Sequence, residues 1–320
     1  MAGADMPGAD SGSRGEAERR DGTAHPRAAA VEVLAVFGPT ASGKSAVAEA
    51  LADRLGSEVV SADAMQAYRG LPILTNQPVR PTRLVGVWPL DHEGSVGEYQ
   101  RLAHAAIDEL VETRGSAVVA GGTGLYLRAA LGGLELPPRP APGDRARWEA
   151  FYDADPQRAH AELASRDPAA AALVHPHDRR RVVRALELAA AGASLAPAEG
   201  RLWSAHARRP SLLVGLAVPP AELERRIAVR TDEMFARGVV AEVRAALAGP
   251  VARTAAKALG LREIADLPPH LARDRLVLRT RQYAAYQRKW MRRIPGLVEV
   301  DATRPVEEVV DEILEVARAR

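Results

Sequence analysis

The chain has 320 residues with 43 basic and 41 acidic side chains, and its net charge of +2 marks out no strongly charged partner. It has no cysteine, which excludes a disulfide scaffold, a cysteine zinc site and a thiol nucleophile. Apolar residues make up 47% and aromatics only 4%, so the core must be built mainly from Ala, Leu and Val.

Residues 1–30 are Gly, Asp, Arg, Ala and Ser with little apolar content, which predicts a disordered tail. No apolar run approaches ~20 residues, so no membrane span is expected. The N-terminus also lacks the apolar stretch of a signal peptide, and a cytoplasmic monomer is the expectation. The run Val31 to Phe37 reads as a buried strand, followed by a helix over 45–55 and a second strand from Glu58 to Ala62. Glu98 to Thr113 reads as a helix, and Ser116 to Ala120 as a third buried strand entering Gly121 and Gly122. Strands alternating with helices predict a parallel sheet covered on both faces. Four prolines between Leu136 and Pro142 break the pattern, and Asp144 to Ala191 is helical and Ala-rich. Pro210 to Val218 reads as a returning strand, Pro220 to Arg293 is mostly helical, and Val298 to Val300 is a last strand. The expectation is an α/β fold: a P-loop parallel sheet at 31–136, a helical insertion at 137–207, and core completion with C-terminal helices at 208–320.

Gly38, Pro39, Thr40, Ala41, Ser42, Gly43, Lys44 and Ser45 fit G-x-x-x-x-G-K-[ST]. Such a loop turns backbone N–H groups inward around phosphate oxygens, and the helix after it adds its positive end. Lys44 would neutralise phosphate, and the Ser45 hydroxyl could ligate Mg²⁺. Lysine occurs only at Lys44, Lys257 and Lys289, every other base being arginine, so a lysine on the required position carries weight. A P-loop alone names no reaction. Asp63 follows the second strand at the sheet edge where ligands bind, and so is expected to face the phosphate loop, with a turn-capping Asp or a Mg²⁺ ligand as the alternatives. Thr123 follows the third strand in the same topological position, in a loop that could also be a plain turn.

The segments Gly38–Ser45, Ser61–Gly70 and Gly121–Tyr126 follow one another in the order seen in the tRNA dimethylallyltransferases, which this chain resembles. His175 to Arg181 with Arg184 to Glu187, Arg230 to Met234, Ala258 to Gly260, Thr280 to Ala284, Gln287 and Trp290 extend the resemblance across about residues 31–300. The resemblance implies transfer of a dimethylallyl group from dimethylallyl diphosphate to N6 of adenosine 37 in tRNA, assisted by Mg²⁺. It implies Asp63 as the general base and tRNA contacts from Thr123 and Arg145. It extends those contacts to Asp63, Ala64, Met65 and Gln66, to Arg180, Arg181 and Arg184, and to the segments 257–264 and 285–292. A P-loop then grips a leaving group, and the acceptor base must leave its stack to reach the donor.

The chain departs from the family at several places. Leu71 to Pro78 replaces an Asp-Ile-Gly-Thr-Ala-Lys-Pro stretch, and Pro81 to Asp91 lacks the usual histidine pair. Ala64 replaces a serine, Leu261 a tyrosine, and Ala285-Tyr286 a Lys-Arg pair. The alternatives left open are a small-molecule P-loop kinase, transfer onto a free adenine nucleotide, and a weakly active RNA-binding paralogue. The arginines around Arg179–Arg184 and Arg273–Arg293, interleaved with Tyr283, Tyr286 and Trp290, suit an RNA backbone.

Overall fold

A computed structural model describes residues 31–134, 143–196 and 207–320. The expected tail at 1–30 and the proline cluster at 136–142 lie outside the described residues. Five parallel strands, β1 (Val33–Phe37), β2 (Val59–Ser61), β3 (Ala117–Gly121), β4 (Ser211–Ala217) and β5 (Val298–Asp301), form one sheet in the order β2-β3-β1-β4-β5. Each of the predicted strands is present, displaced by no more than a residue or two at its ends.

The continuous apolar character of β1 follows from burial on both faces. Val33, Ala35 and Phe37 point to one side, against Tyr99, Ala103, Ile107 and Leu110 of α2 (Val96–Arg114) and Leu127 of α3 (Gly124–Leu131). Leu34 and Val36 point to the other, against α1 (Lys44–Leu55) and the C-terminal helix (Val306–Arg318). The period-2 alternation of a strand thus splits one apolar pentapeptide between two cores.

Register decides where the loops emerge. Phe37 pairs with both Gly121 and Gly215, and Ser61 pairs with Ala120. The segments after β1, β2 and β3 therefore leave the same edge of the sheet, beside the point where the strand order turns back at β1. The approach there is close: a Cβ on Gly121 would lie 2.3 Å from the Ala62 carbonyl oxygen, so only glycine fits.

Four helices share a core of their own: α4 (Asp144–Ala154), α5 (Pro156–Arg166), α6 (Pro168–Leu173) and α7 (Arg179–Ala190), packed through Trp148, Tyr152, Leu163, Val182 and Leu186. The Asp-Pro pairs at 155–156 and 167–168 start two of them: each Asp caps the free amides while each Pro occupies the first turn.

The remaining helices are α8 (Pro220–Ala236), α9 (Val239–Leu247), α10 (Leu261–Asp266), α11 (Pro269–Met291) and α12, the C-terminal helix already described. In α11 the buried positions are Ala272, Leu276, Val277, Thr280, Ala284, Gln287 and Met291, an i, i+3/i+4 stripe. Among the described residues no helix is long and apolar enough to cross a membrane.

The atypical segment 71–78 is firmly held. Leu71 and Leu74 are buried among Met234, Val239, Val243, Ile264 and Leu276. The Glu242 carboxylate accepts from the Ile73 and Leu74 amides, both at 2.8 Å. Replacing Glu242 with Ala leaves those amides without their ionised acceptor and should cost about 2–3 kcal/mol. Urea unfolding should register the loss, and limited proteolysis should cut first within 71–78.

Candidate active site

β1 ends at Phe37 and α1 begins at Lys44, with Gly43 (φ 88°) as an N-cap that supplies no side-chain acceptor. The first-turn amides of α1 are therefore left uncapped and point, with the positive end of the helix, to the carboxyl edge of the sheet. Beneath them the Ser42 hydroxyl is buried with no hydrogen-bond partner, among the described residues. A cavity of about 440 Å³ opens onto this loop, lined by Lys44, Ser45, Asn76, Arg226 and Arg230. Uncapped amides, an orphaned buried hydroxyl and convergent cations together make an anion cradle.

Burial of these cations carries an electrostatic cost. Burial pushes the Lys44 ammonium down to about 8, against the pull of Asp63 and with reinforcement from Arg230. Burial likewise lowers Arg230, opposed by Asp63 and Glu233.

Asp63 lies in a second, narrow cleft with Lys44, Ser45, Ser61, Gln66 and Gly121. Its Oδ1 accepts from the Met65 amide at 2.8 Å and the Gln66 amide at 3.4 Å, so it is a turn-capping residue as well as a carboxylate facing the loop. Aromatic rings surround it. Tyr99 donates to the Ser61 carbonyl at 2.9 Å and packs on Tyr126 at 4.6 Å between ring centres. Burial, with a smaller push from Asp63, holds the phenols of Tyr126 and Tyr283 up at about 12, so both are neutral donors at ordinary pH.

The other residues of this segment have structural work. Gln66 accepts from the Ser61 hydroxyl at 2.8 Å and donates to the Asn76 carbonyl at 2.8 Å, and Met65 packs against the apolar clusters. Ala64 is half-buried beside them.

Thr123 heads α3 without capping it through its side chain. Its hydroxyl instead lies 3.1 Å from that of Tyr283 on α11. Arg230 was expected only as part of the resembling segment 230–234, and Gln287 as part of the tRNA-contact segment 285–292; the structure brings both side chains to this edge of the sheet. Arg230 lines the cavity, its signal lost among so many arginines. Gln287 contacts both the phosphate loop and the Gly122 carbonyl, and its signal is a polar residue on the buried stripe of α11.

The expected insertion arginines divide by partner. Arg145 and Arg184 both pair with the buried Glu187, at 3.3 and 3.0 Å, and Arg145 also reaches Glu149 at 3.0 Å. Arg181 lies 3.9 Å from Asp178. Burial lowers the Lys257 ammonium, with Arg180, Arg253 and Arg145 lowering it further and Glu93 opposing them; Arg145, Arg179 and Arg253 all reach the Glu149 carboxylate. On α11 the basic run splits in two. Arg273 pairs with Asp232, Arg279 with Glu263 and Arg281 with Glu224, which spends the first half on the fold. Among the described residues no group of three His, Asp or Glu side chains stands poised for a metal.

A sequence model of the family described as IPP transferase matches residues 66–294, and one described as isopentenyl transferase matches residues 31–83. The chain is 41% identical over 288 residues to the tRNA dimethylallyltransferase of Salinispora arenicola, covering 86% of this chain and 83% of that protein. It is 39% identical over 280 residues to the tRNA dimethylallyltransferase of Streptomyces coelicolor, covering 83% and 89%. The crystal structure of the tRNA isopentenylpyrophosphate transferase from Bacillus halodurans superposes with a TM-score of 0.64 at 30% identity, over 90% of this chain and 94% of that one. A eukaryotic dimethylallyltransferase acting on tRNA shares the fold, with a TM-score of 0.69 at 24% identity over 85% of this chain and 74% of that one.

The lowered Lys44 gives the cradle a pH dependence of known sign. An anion binds the protonated amine, so affinity for inorganic diphosphate should fall as pH rises through about 8, where the free protein loses that proton. Arginine stays charged throughout, so in Lys44→Arg this fall should be absent. Calorimetric titration of both proteins across that range checks the prediction.

Proposed function

The chain belongs to the tRNA dimethylallyltransferase (IPP transferase) family and is a prenyl-transferring enzyme, and on that premise we propose that it moves a dimethylallyl group from dimethylallyl diphosphate to N6 of adenosine 37 in tRNA. The observation that carries the residue assignment is the meeting of an anion cradle and a carboxylate, Lys44 and Asp63, in one cleft at the carboxyl edge of the sheet.

The chemistry assigns each group a task. The allylic C–O bond breaks, the N6–C bond forms, and the N6 proton passes to Asp63. An exocyclic aromatic amine is a poor nucleophile, so a carboxylate within reach assists as charge develops. The leaving diphosphate gathers negative charge, which Lys44, Arg230 and the uncapped amides of α1 meet without reorganisation. Thr123, aligned by Tyr283, faces the acceptor.

The donor set also fits Mg²⁺ brought in with the diphosphate. Such an ion keeps several waters and takes few protein ligands, and the Ser45 hydroxyl, with the Glu49 carboxylate in the same cleft, can hold it. Bound there it would neutralise charge on the leaving group.

The tRNA face runs from the insertion to α11. Arg145, Arg180, Arg181 and Arg184 with Lys257 and Arg253 form one half, and Arg288, Lys289, Arg292 and Arg293 the other. Glu187, buried beneath two of these arginines, fixes their guanidinium groups toward an RNA backbone. A free adenine nucleotide would leave this face without a role, which favours tRNA as acceptor.

Purified protein with dimethylallyl diphosphate, Mg²⁺ and bulk tRNA should yield N6-modified adenosine by mass spectrometry. Product on AMP alone, or hydrolysis of ATP, would overturn the reading. Asp63→Asn keeps the side-chain acceptor for Met65 and Gln66 and removes the base, so turnover should fall by about 10²–10⁴ while tRNA affinity holds. A parallel loss of tRNA binding would make Asp63 a recognition residue.

A further inference from the structure

We infer that Gln287 is a positioning residue that locks the diphosphate loop to the loop carrying Thr123, and so fixes donor and acceptor in one relative geometry. The inference rests on the transferase reading above.

Gln287 Oε1 accepts from the Thr40 amide at 2.8 Å, and its Nε2 donates to the Gly122 carbonyl at 2.8 Å. The two partners require opposite polarities, so only this orientation of the amide satisfies both. The side chain is 3% exposed, on the inner stripe of α11. Tyr283, one turn earlier on the same helix, lies 3.1 Å from the Thr123 hydroxyl.

Two loops that follow different strands are thus tied through one side chain of a third element. A buried primary amide could have been replaced by Met or Leu had packing alone been required, since an apolar group there carries no desolvation cost. The lock is also too tight to be incidental: a Cβ on Gly122 would lie 2.3 Å from Gln287 Nε2 and 3.0 Å from the Gly38 carbonyl oxygen. Because Thr40 spends its amide on Gln287, the lock fixes the phosphate loop from behind without touching the diphosphate.

A group that sets relative geometry should act on the rate with both substrates bound, rather than on the affinity for either. Gln287→Met keeps length and flexibility and removes both hydrogen bonds. Gly122→Ala attacks the same lock from the opposite side. In each variant the single-turnover rate with saturating dimethylallyl diphosphate and tRNA should fall about 100-fold, while the two dissociation constants move by less than about threefold. Hydrogen exchange of the 38–45 and 121–126 segments should quicken in Gln287→Met, a readout that needs no turnover.

An unchanged rate, or a fall matched by equal loss of donor or tRNA affinity, would overturn the inference. So would unchanged exchange, or a loss of native structure in both variants. A wild-type protein that makes no product fails the transferase reading instead, and exchange then still judges the lock.

Discussion

The uncapped amides of α1, presented where β1 leaves the sheet, impose the constraint on which the rest of the site depends. Backbone donors of this kind must be satisfied by solvent or by an anion. The protein leaves them open and adds buried cations around them, with Asp63 as a nearby countercharge. Burying Lys44 and Arg230 disfavours their charged forms until an anion arrives. The site is therefore built for a polyanionic ligand, and the parallel register that levels the ends of β1, β2 and β3 brings Asp63 and Thr123 to the same place.

The helices around this edge join the phosphate loop to a basic surface. α11 carries exposed cations near its C-terminal end and, on its inner face, the amide that joins two site loops. The insertion uses the opposite device: the buried carboxylate of Glu187 is shared by Arg145 and Arg184. A charge buried in this way is stable only when paired, so each arginine has an orientation set from within. Several other arginines carry ion pairs to the fold itself, which is why arginine count is a poor guide to the RNA surface.

Much of the architecture was legible in the residues. A strand buried on both faces, a P-loop and a helix start are encoded within about fifteen consecutive positions, where chain connectivity alone brings the groups together. The segment 71–78 departs from the family pattern, and Glu242, Gln66 and Gln77 tie it down with hydrogen bonds of their own. Gln66, an expected RNA contact, also ties that segment through its side-chain amide. Asp63 read as base or turn residue, and the geometry makes it a turn residue whose carboxylate also faces the loop.

The sequence by itself determined the phosphate loop, the parallel sheet and the edge at which Asp63 and Thr123 emerge, because these follow from local backbone demands and from two-faced burial. Tertiary structure alone decided that Gln287 turns inward to Thr40 and Gly122, that Arg230 lines the cavity beside Lys44, and which arginines are paired inside the fold. Thr40 and Gln287 are 247 positions apart, and Gly122 and Gln287 are 165 apart. No local pattern records such meetings, since hydrogen bonds and ion pairs depend on distances that only the packed helices and strands set.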